Sequence, residues 1–110
     1  MFKVRYKIWL EDDAPIFGDG LYELLQRVEQ FGSISRASQV MKMSYREAWG
    51  RIREAENRLR TKLLYKHAGG EMGGGAELTP AAKELMAKYR KFREGVDMSI
   101  ARLFNESFRQ

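Results

Sequence analysis

The sequence predicts an α+β fold, a winged helix-turn-helix with an N-terminal strand and a long C-terminal helix. Three observations predict it. Two short amphipathic helices joined by a tight turn occupy residues 33–60, and two short strands around a glycine-rich loop follow over residues 63–78, in the layout of a wing. A continuous helical pattern then fills residues 79–110. We therefore divide the chain into a winged helix-turn-helix domain, residues 1–78, and a C-terminal dimerisation helix.

The first ten residues carry the pattern of a strand. Val4, Tyr6, Ile8 and Leu10 alternate with charged residues and a tryptophan, and a period of two predicts a strand with one buried face. The acidic run that follows, residues 11–13, has two interpretations, a metal site or a solvated turn. Because no other cluster of metal-ligating residues accompanies it, the turn is favoured.

A first helix is predicted from Asp19, as its N-cap, to Gly32, which stops it. Its apolar residues recur at helical spacing, at Leu21, Leu24, Leu25, Val28 and Phe31. Ser33 then caps a short second helix. These three features place the start of the helix-turn-helix at residue 33.

Ser44 opens the third helix in a capping box, in which its hydroxyl accepts from the backbone N–H of Glu47 and that glutamate reaches back. The buried stripe of this helix is predicted at Ala48, Ile52, Ala55 and Leu59. Small Ala37 and Ala48 at the crossing permit two helix backbones to approach closely. An ordinary helical hairpin is the alternative, and the short turn with its capping box favours the helix-turn-helix.

The predicted wing consists of a strand at Leu63–His67, a glycine-rich loop at Gly69–Gly75 and a returning strand at Ala76–Leu78. So many glycines indicate a loop that is flexible or has positive φ angles. A nucleotide-binding phosphate loop is the alternative interpretation. The Gly-Lys-Ser/Thr ending that such a loop requires is absent, so the wing is favoured.

Thr79 and Pro80 begin the last helix, with threonine as the N-cap and proline at the first helical position. Its apolar residues form a heptad-like seam, at Leu85, Tyr89, Phe92, Val96 and Leu103. Such a seam packs either on its own domain or on a second copy of the chain. The amount of apolar surface favours a homodimer.

Composition excludes several classes of function. There is no cysteine for a disulfide or a thiolate metal site, and one histidine alone cannot build a zinc cluster. No nucleophile or acid–base pair stands out, so we expect no enzyme activity and no cofactor. No apolar run is long enough to span a membrane or to form a signal peptide, and the expected location is the cytoplasm.

Charge is unevenly distributed along the chain. Residues 1–32 carry a net charge of −2, residues 33–78 carry +4 and residues 79–110 carry +3, within a total of +5. A basic excess over the helix-turn-helix and the wing suits a polyanion such as nucleic acid. A merely soluble surface is the alternative that charge alone leaves open.

Three segments carry a family resemblance: GSISRA at 32–37, MSYREAW at 43–49 and GGEMGGGAELTP at 69–80. Together they resemble the N-terminal domain of ModE-type, molybdate-responsive regulators, over roughly residues 18–92, and the helix-turn-helix is more distantly similar to that of LysR-type regulators. The resemblance implies a homodimeric, bacterial, sequence-specific transcription regulator that binds double-stranded DNA. In full-length ModE-type proteins a C-terminal pair of β-barrel domains binds molybdate. Since this sequence ends after the last helix, we expect that it lacks this sensor and does not bind molybdate.

On the resemblance, the third helix is the recognition helix. Arg46 and Arg53 on its outward side are the candidates for reading guanine. The full predicted DNA-binding set is Ser33, Ser35, Arg36, Ser44, Tyr45, Arg46, Trp49, Gly50, Arg53, Lys66 and His67. Tyr45 and Trp49 are equally well interpreted as cover for the core. A winged-helix protein-interaction module without specific DNA readout is the alternative function.

Overall fold

The computed structural model describes residues 1–67 and 75–108, which form four helices and two pairs of short strands. The elements in chain order are β1 (Trp9–Glu11), β2 (Pro15–Gly18), α1 (Asp19–Phe31), α2 (Ile34–Val40), α3 (Tyr45–Leu59), β3 (Leu64–His67), β4 (Gly75–Leu78) and α4 (Pro80–Phe108). The predicted α+β winged helix-turn-helix with a long last helix is thus confirmed.

Helices α1, α2 and α3 pack around an apolar core to which the strands of the wing also contribute. The largest fully buried side chains are Leu24, Leu25, Val28, Ile52, Leu63 and Leu64. At the contact of α2 with α3, Ala37 and Ala48 are completely buried, as expected for residues that let two backbones approach closely. These contacts agree with the predicted helix-turn-helix.

The wing is an antiparallel pair in which Leu64 lies opposite Leu78 and His67 lies opposite Gly75. The inward-facing leucines join the core, and the other face of the pair is exposed. The connection between the strands, residues 68–74, contains most of the predicted glycine loop and lies outside the described residues.

Local interactions set the helix ends where the sequence predicts them. Gly32 ends α1 with φ +65°, a left-handed conformation that favours glycine. The hydroxyl groups of Ser33, Ser44 and Thr79 accept hydrogen bonds from the backbone N–H three residues on, at 3.2, 3.0 and 3.0 Å. Thr79 also donates to the carbonyl of Lys62 at 2.7 Å, which attaches the start of α4 to the wing.

The N-terminal strand departs from its prediction. Only Trp9–Glu11 is a strand, and it pairs with β2, which the sequence did not reveal. Val4 and Leu10 are exposed rather than buried. Residues 2–8 do not belong to a strand. Phe2 and Tyr6 contact α4 instead, and the ring of Phe2 lies 5.4 Å from that of Phe108. Without a ladder of hydrogen bonds, alternation alone does not make a strand.

Two further predictions require correction. Asp19 is not the N-cap of α1, because Gly18 occupies that position without a side-chain cap, and the Asp19 carboxylate binds Tyr89 and Arg93 of α4 instead. Tyr89, predicted at the interface between two chains, is buried in its own chain. Its ring packs edge-on against Phe17, at 5.0 Å between centroids. The first half of α4 therefore belongs to the core of the winged helix.

Over the described ranges, none of the helices combines the length and the apolar character that crossing a membrane requires. Within the same ranges, histidine and acidic side chains do not gather in groups of three or more that could hold a metal ion. Glu11 is the last residue of β1, and Asp12 and Asp13 form bends between β1 and β2, in agreement with the predicted turn.

Candidate nucleic-acid interface

The outward side of α3 carries two arginines around a glycine. Arg46, Gly50 and Arg53 recur at spacings of four and three, which places them on one side of the helix, opposite its buried stripe. All three are exposed. Neither arginine pairs with an acidic side chain among the residues that the structure describes. Their guanidinium groups are thus available to a ligand.

The acidic residues of α3 lie on a different side of the helix. Glu47 pairs with Arg51 at 2.8 Å, and Glu54 pairs with Arg58 at 3.3 Å. Glu47 therefore does not complete the predicted capping box; its carboxylate binds the next turn of the helix instead. These exposed pairs neutralise one flank of α3 and leave the positive charge of the outward side uncompensated.

Gly50 lies in the middle of this side with open space around it. A Cβ atom built there would have no neighbour within 4 Å. A glycine inside a helix costs about 1 kcal/mol of stability relative to alanine, and nothing within the described chain requires one here. The absence of a side chain would let a groove floor approach the helix backbone closely.

Tyr45 and Trp49 connect α3 to the wing. The ammonium group of Lys66 on β3 lies 5.7 Å from the centre of the Tyr45 ring and 5.4 Å from that of Trp49. The guanidinium of Arg53 lies 5.7 Å from the centre of the Trp49 ring. Trp49 is partly buried against the core, whereas Tyr45 is 42% exposed. The two rings thus align cations of α3 and β3 in one positive strip.

The three residues predicted to bind DNA at the start of α2 differ in their exposure. Ser33 is only 6% exposed, and its hydroxyl is engaged in capping. The carbonyl of Ser35 accepts from the hydroxyl of Ser38 at 2.8 Å, and the Ser35 side chain is partly buried. Arg36 is exposed, with its guanidinium 5.7 Å from the ring of Phe31. Of these three residues, only Arg36 is exposed.

The remaining predicted residues, Ser44 and His67, lie at the two ends of this surface. Ser44 is exposed, but its hydroxyl caps α3. His67 ends β3, with its Nε2 atom 3.6 Å from a carboxylate oxygen of Glu77 on β4. Both residues therefore have partners within the chain as well as access to solvent.

Two contacts that the sequence did not reveal hold the wing against the helices. A carboxylate oxygen of Glu56 in α3 accepts from the backbone N–H groups of Leu63 and Leu64 at 2.8 and 3.2 Å. The backbone N–H of Ala76 in β4 donates to the carbonyl of Gly32 at 2.9 Å. Both strands of the wing are therefore attached to the helices, with Lys66 beside α3.

Asn57 was not among the residues predicted from the sequence, although it lies on the outward side of α3. It is exposed, and it lies four residues after Arg53 and seven after Gly50, on the same side of α3. The spacing was the available signal. An asparagine amide can form a bidentate pair with adenine, as arginine does with guanine.

Comparison with known proteins identifies the family. The sequence pattern described as "Bacterial regulatory helix-turn-helix protein, lysR family" matches residues 20–83. "Molybdenum transport protein ModE" of Azotobacter vinelandii is 34% identical over 92 residues, which are 84% of this chain and 34% of that protein. The ModE protein of Herbaspirillum seropedicae is 40% identical over 72 residues, 66% of this chain and 27% of that protein. The chain thus spans about a third or less of the length of these relatives.

A solved structure shows the same fold. The complex of the CbnR DNA-binding domain with DNA has a TM-score of 0.63 at 19% identity, over 80% of this chain and 95% of that chain. The relatives confirm the resemblance to ModE-type proteins. The family pattern extends from α1 through the wing to the start of α4, the elements that build the surface described above. The chain therefore belongs to the LysR family of bacterial regulatory helix-turn-helix proteins.

Proposed function

We propose that the chain is a sequence-specific DNA-binding transcription regulator of the ModE-like kind, with α3 as its recognition helix. The observation that carries the proposal is the outward side of α3, where Arg46 and Arg53 have no acidic partner among the described residues and flank a glycine that no described neighbour requires. The major groove admits an α-helix, and arginine pairs there with the O6 and N7 atoms of guanine. Relatives named as ModE proteins support the assignment.

The wing and the start of α2 are proposed to contact the DNA backbone. Lys66 lies beside α3 and is kept there by the two contacts that attach the wing. Arg36 lies at the start of α2, which packs against α3. Cations flanking a recognition helix hold phosphates and so set its register in the groove, without themselves reading sequence.

A homodimer is proposed to form through the second half of α4. A shallow apolar groove runs along this helix, lined in part by Phe92, Gly95, Val96 and Ile100. Phe92 is 47% and Leu103 is 54% exposed. Gly95 has no neighbour within 4 Å of its Cβ position, so a second helix can approach closely there. Two copies would present two recognition helices to two half-sites.

The function is tested by selecting bound fragments from bacterial genomic DNA and sequencing them. Recovery of a shared motif, followed by a mobility shift that a random duplex does not compete, would support sequence-specific binding. If no genomic fragment is selected and a random duplex is not bound at low salt, the protein-interaction module is favoured. Affinities have to be compared at one salt concentration, because phosphate contacts make binding strongly salt-dependent.

Two finer points belong to the same proposal. The chain is expected to act in the cytoplasm, where DNA is accessible. Residues 1–110 are not expected to bind molybdate themselves, because the described ranges are accounted for by the winged helix, the N-terminal segment and α4. A calorimetric titration with molybdate that gives a stoichiometric signal would contradict this point.

Gly50→Ala is predicted to change stability and DNA binding in opposite directions. Alanine should raise the free energy of unfolding by about 1 kcal/mol, because the site has open space and a helical backbone. The added methyl group should weaken operator binding by separating α3 from the groove floor. Denaturant unfolding and a mobility shift on one variant measure both effects. Increased stability excludes misfolding as the cause of weak binding, and unchanged operator affinity would remove Gly50 from the interface.

A further inference from the structure

The junction between α1 and α4 is a polar cluster built on Asp19, the first residue of α1. Both carboxylate oxygens accept from Arg93, with distances of 3.0 to its Nε atom and 3.1 Å to a terminal nitrogen. The hydroxyl of Tyr89 donates to the same carboxylate. Arg93 also pairs with Asp97 one turn further on, and its guanidinium lies 4.9 Å from the centre of the Tyr6 ring.

The charge states of this cluster favour its hydrogen bonds. The hydrogen bonds from Arg93 lower the pKa of Asp19 below its ordinary value, although partial burial acts in the opposite direction. Burial, together with the hydrogen bond to Asp19, raises the pKa of Tyr89 to about 12. At neutral pH Asp19 is therefore an anion, and Tyr89 retains the proton that it donates.

The cluster lies where the buried part of α4 ends. The buried side chains of α4 are Ala82, Met86 and Tyr89, and in the described part of the helix none is buried beyond Arg93. The fifteen residues that follow Arg93, up to Phe108, extend the helix by about 22 Å at 1.5 Å per residue. A small change in angle at the junction therefore becomes a displacement of several ångströms at the far end of the helix.

We propose that Asp19 is a positioning residue: held by Tyr89 and Arg93, it sets the angle at which α4 leaves the winged helix. In the dimer this angle determines the distance between the two α3 helices, and with it the half-site spacing that the protein accepts. The proposal rests on the proposed function, since spacing has meaning only for a dimer on DNA. It assigns Asp19 no contact with DNA.

The angle is tested first without DNA. The chain has no cysteine, so Gln39→Cys and Asn105→Cys place spin labels on α2 and near the end of α4, both at exposed positions. Labelled chains are diluted with unlabelled ones so that the distance within one chain is measured. Asp19→Asn should broaden this distance distribution, and Asp19→Glu should largely restore it. An unchanged distribution in Asp19→Asn would overturn the proposal.

The matched control is a substitution on α4, the helix that carries Tyr89 and Arg93. Glu84→Gln removes an exposed pair with Lys88, at 3.2 Å, that does not involve α1. This variant should leave the distance distribution as it is in the unsubstituted chain. A broadening of equal size in Glu84→Gln would show that the loss of a carboxylate that does not join α1 to α4 has the same effect, which would also overturn the proposal.

Spacing is tested on inverted half-sites whose separation changes by one base pair at a time. The unsubstituted chain should prefer one separation, and Asp19→Asn should reduce that preference about tenfold, which corresponds to ~1.4 kcal/mol. Affinity for a single half-site and the dimer seen in sedimentation should not change. An unaltered spacing profile would overturn the proposal. If the unsubstituted chain shows no specific DNA binding, the proposed function fails, whereas the spin-label distances still report on the angle.

Discussion

Replacing both Phe92 and Val96 with aspartate is expected to convert the dimer into monomers and to weaken binding to a two-half-site operator by about 10²–10⁴-fold. Both residues line the apolar groove of the second half of α4, where two carboxylates would have to be desolvated against a partner helix. The loss is large because joining two weak sites raises avidity without any new contact.

Sedimentation equilibrium measures the oligomeric state of this variant, and a mobility shift measures its operator affinity. Met98→Asp is the matched control, because Met98 is 73% exposed on the same helix and does not line the groove. It should remain dimeric and bind DNA normally. If the unsubstituted chain sediments as a monomer at micromolar concentration, the groove is not a dimer interface, whatever the variants do on DNA.

Arg46→Ala and Arg53→Ala are each expected to lose about 1–3 kcal/mol of discrimination between the operator and unrelated DNA, the contribution of a bidentate pair with guanine. Binding to random duplex should persist, because the phosphate contacts from the wing and α2 remain. Stability should change little for Arg46, which has no ion-pair partner among the described residues. Arg53 also gives up its contact with the Trp49 ring.

The ratio of operator affinity to random-duplex affinity measures this effect. Arg58→Ala serves as the control, since it removes the same charge from the flank of α3 where Arg58 pairs with Glu54. It should weaken both affinities slightly and leave their ratio unchanged. Unchanged operator preference in both Arg46→Ala and Arg53→Ala would show that the recognition surface lies elsewhere.

Features that depend on neighbours three or four residues away could be predicted from the sequence. The caps at Ser33, Ser44 and Thr79 and the left-handed end of α1 at Gly32 are of this kind, because their partners lie within one helical turn. The buried stripe of α3 was predicted for the same reason: helical periodicity places its residues on one side whatever they pack against.

Features that depend on distant partners could not be predicted. Aspartate is a residue type that often caps helices, but the carboxylate of Asp19 binds Arg93, which lies 74 residues further along the chain. The heptad spacing of α4 does not reveal that Tyr89 is buried in the core of its own chain while Phe92 is exposed. Glu56 accepts hydrogen bonds from the backbone N–H groups of Leu63 and Leu64. A contact with backbone groups cannot be predicted from the pattern of side chains.

The hydrogen bond from Ala76 to the carbonyl of Gly32 has a consequence for how such a regulator can change over time. Donor and acceptor are both main-chain atoms, so the contact does not depend on the identity of the side chain at position 76. The outward side of α3 is likewise separate from the core stripe of the same helix. Substitutions at positions 46, 50 and 53 can therefore accumulate without displacing the wing. On the proposed function, substitutions on this one face of α3 would change the DNA sequence that is bound, while the contact that attaches the wing would stay the same.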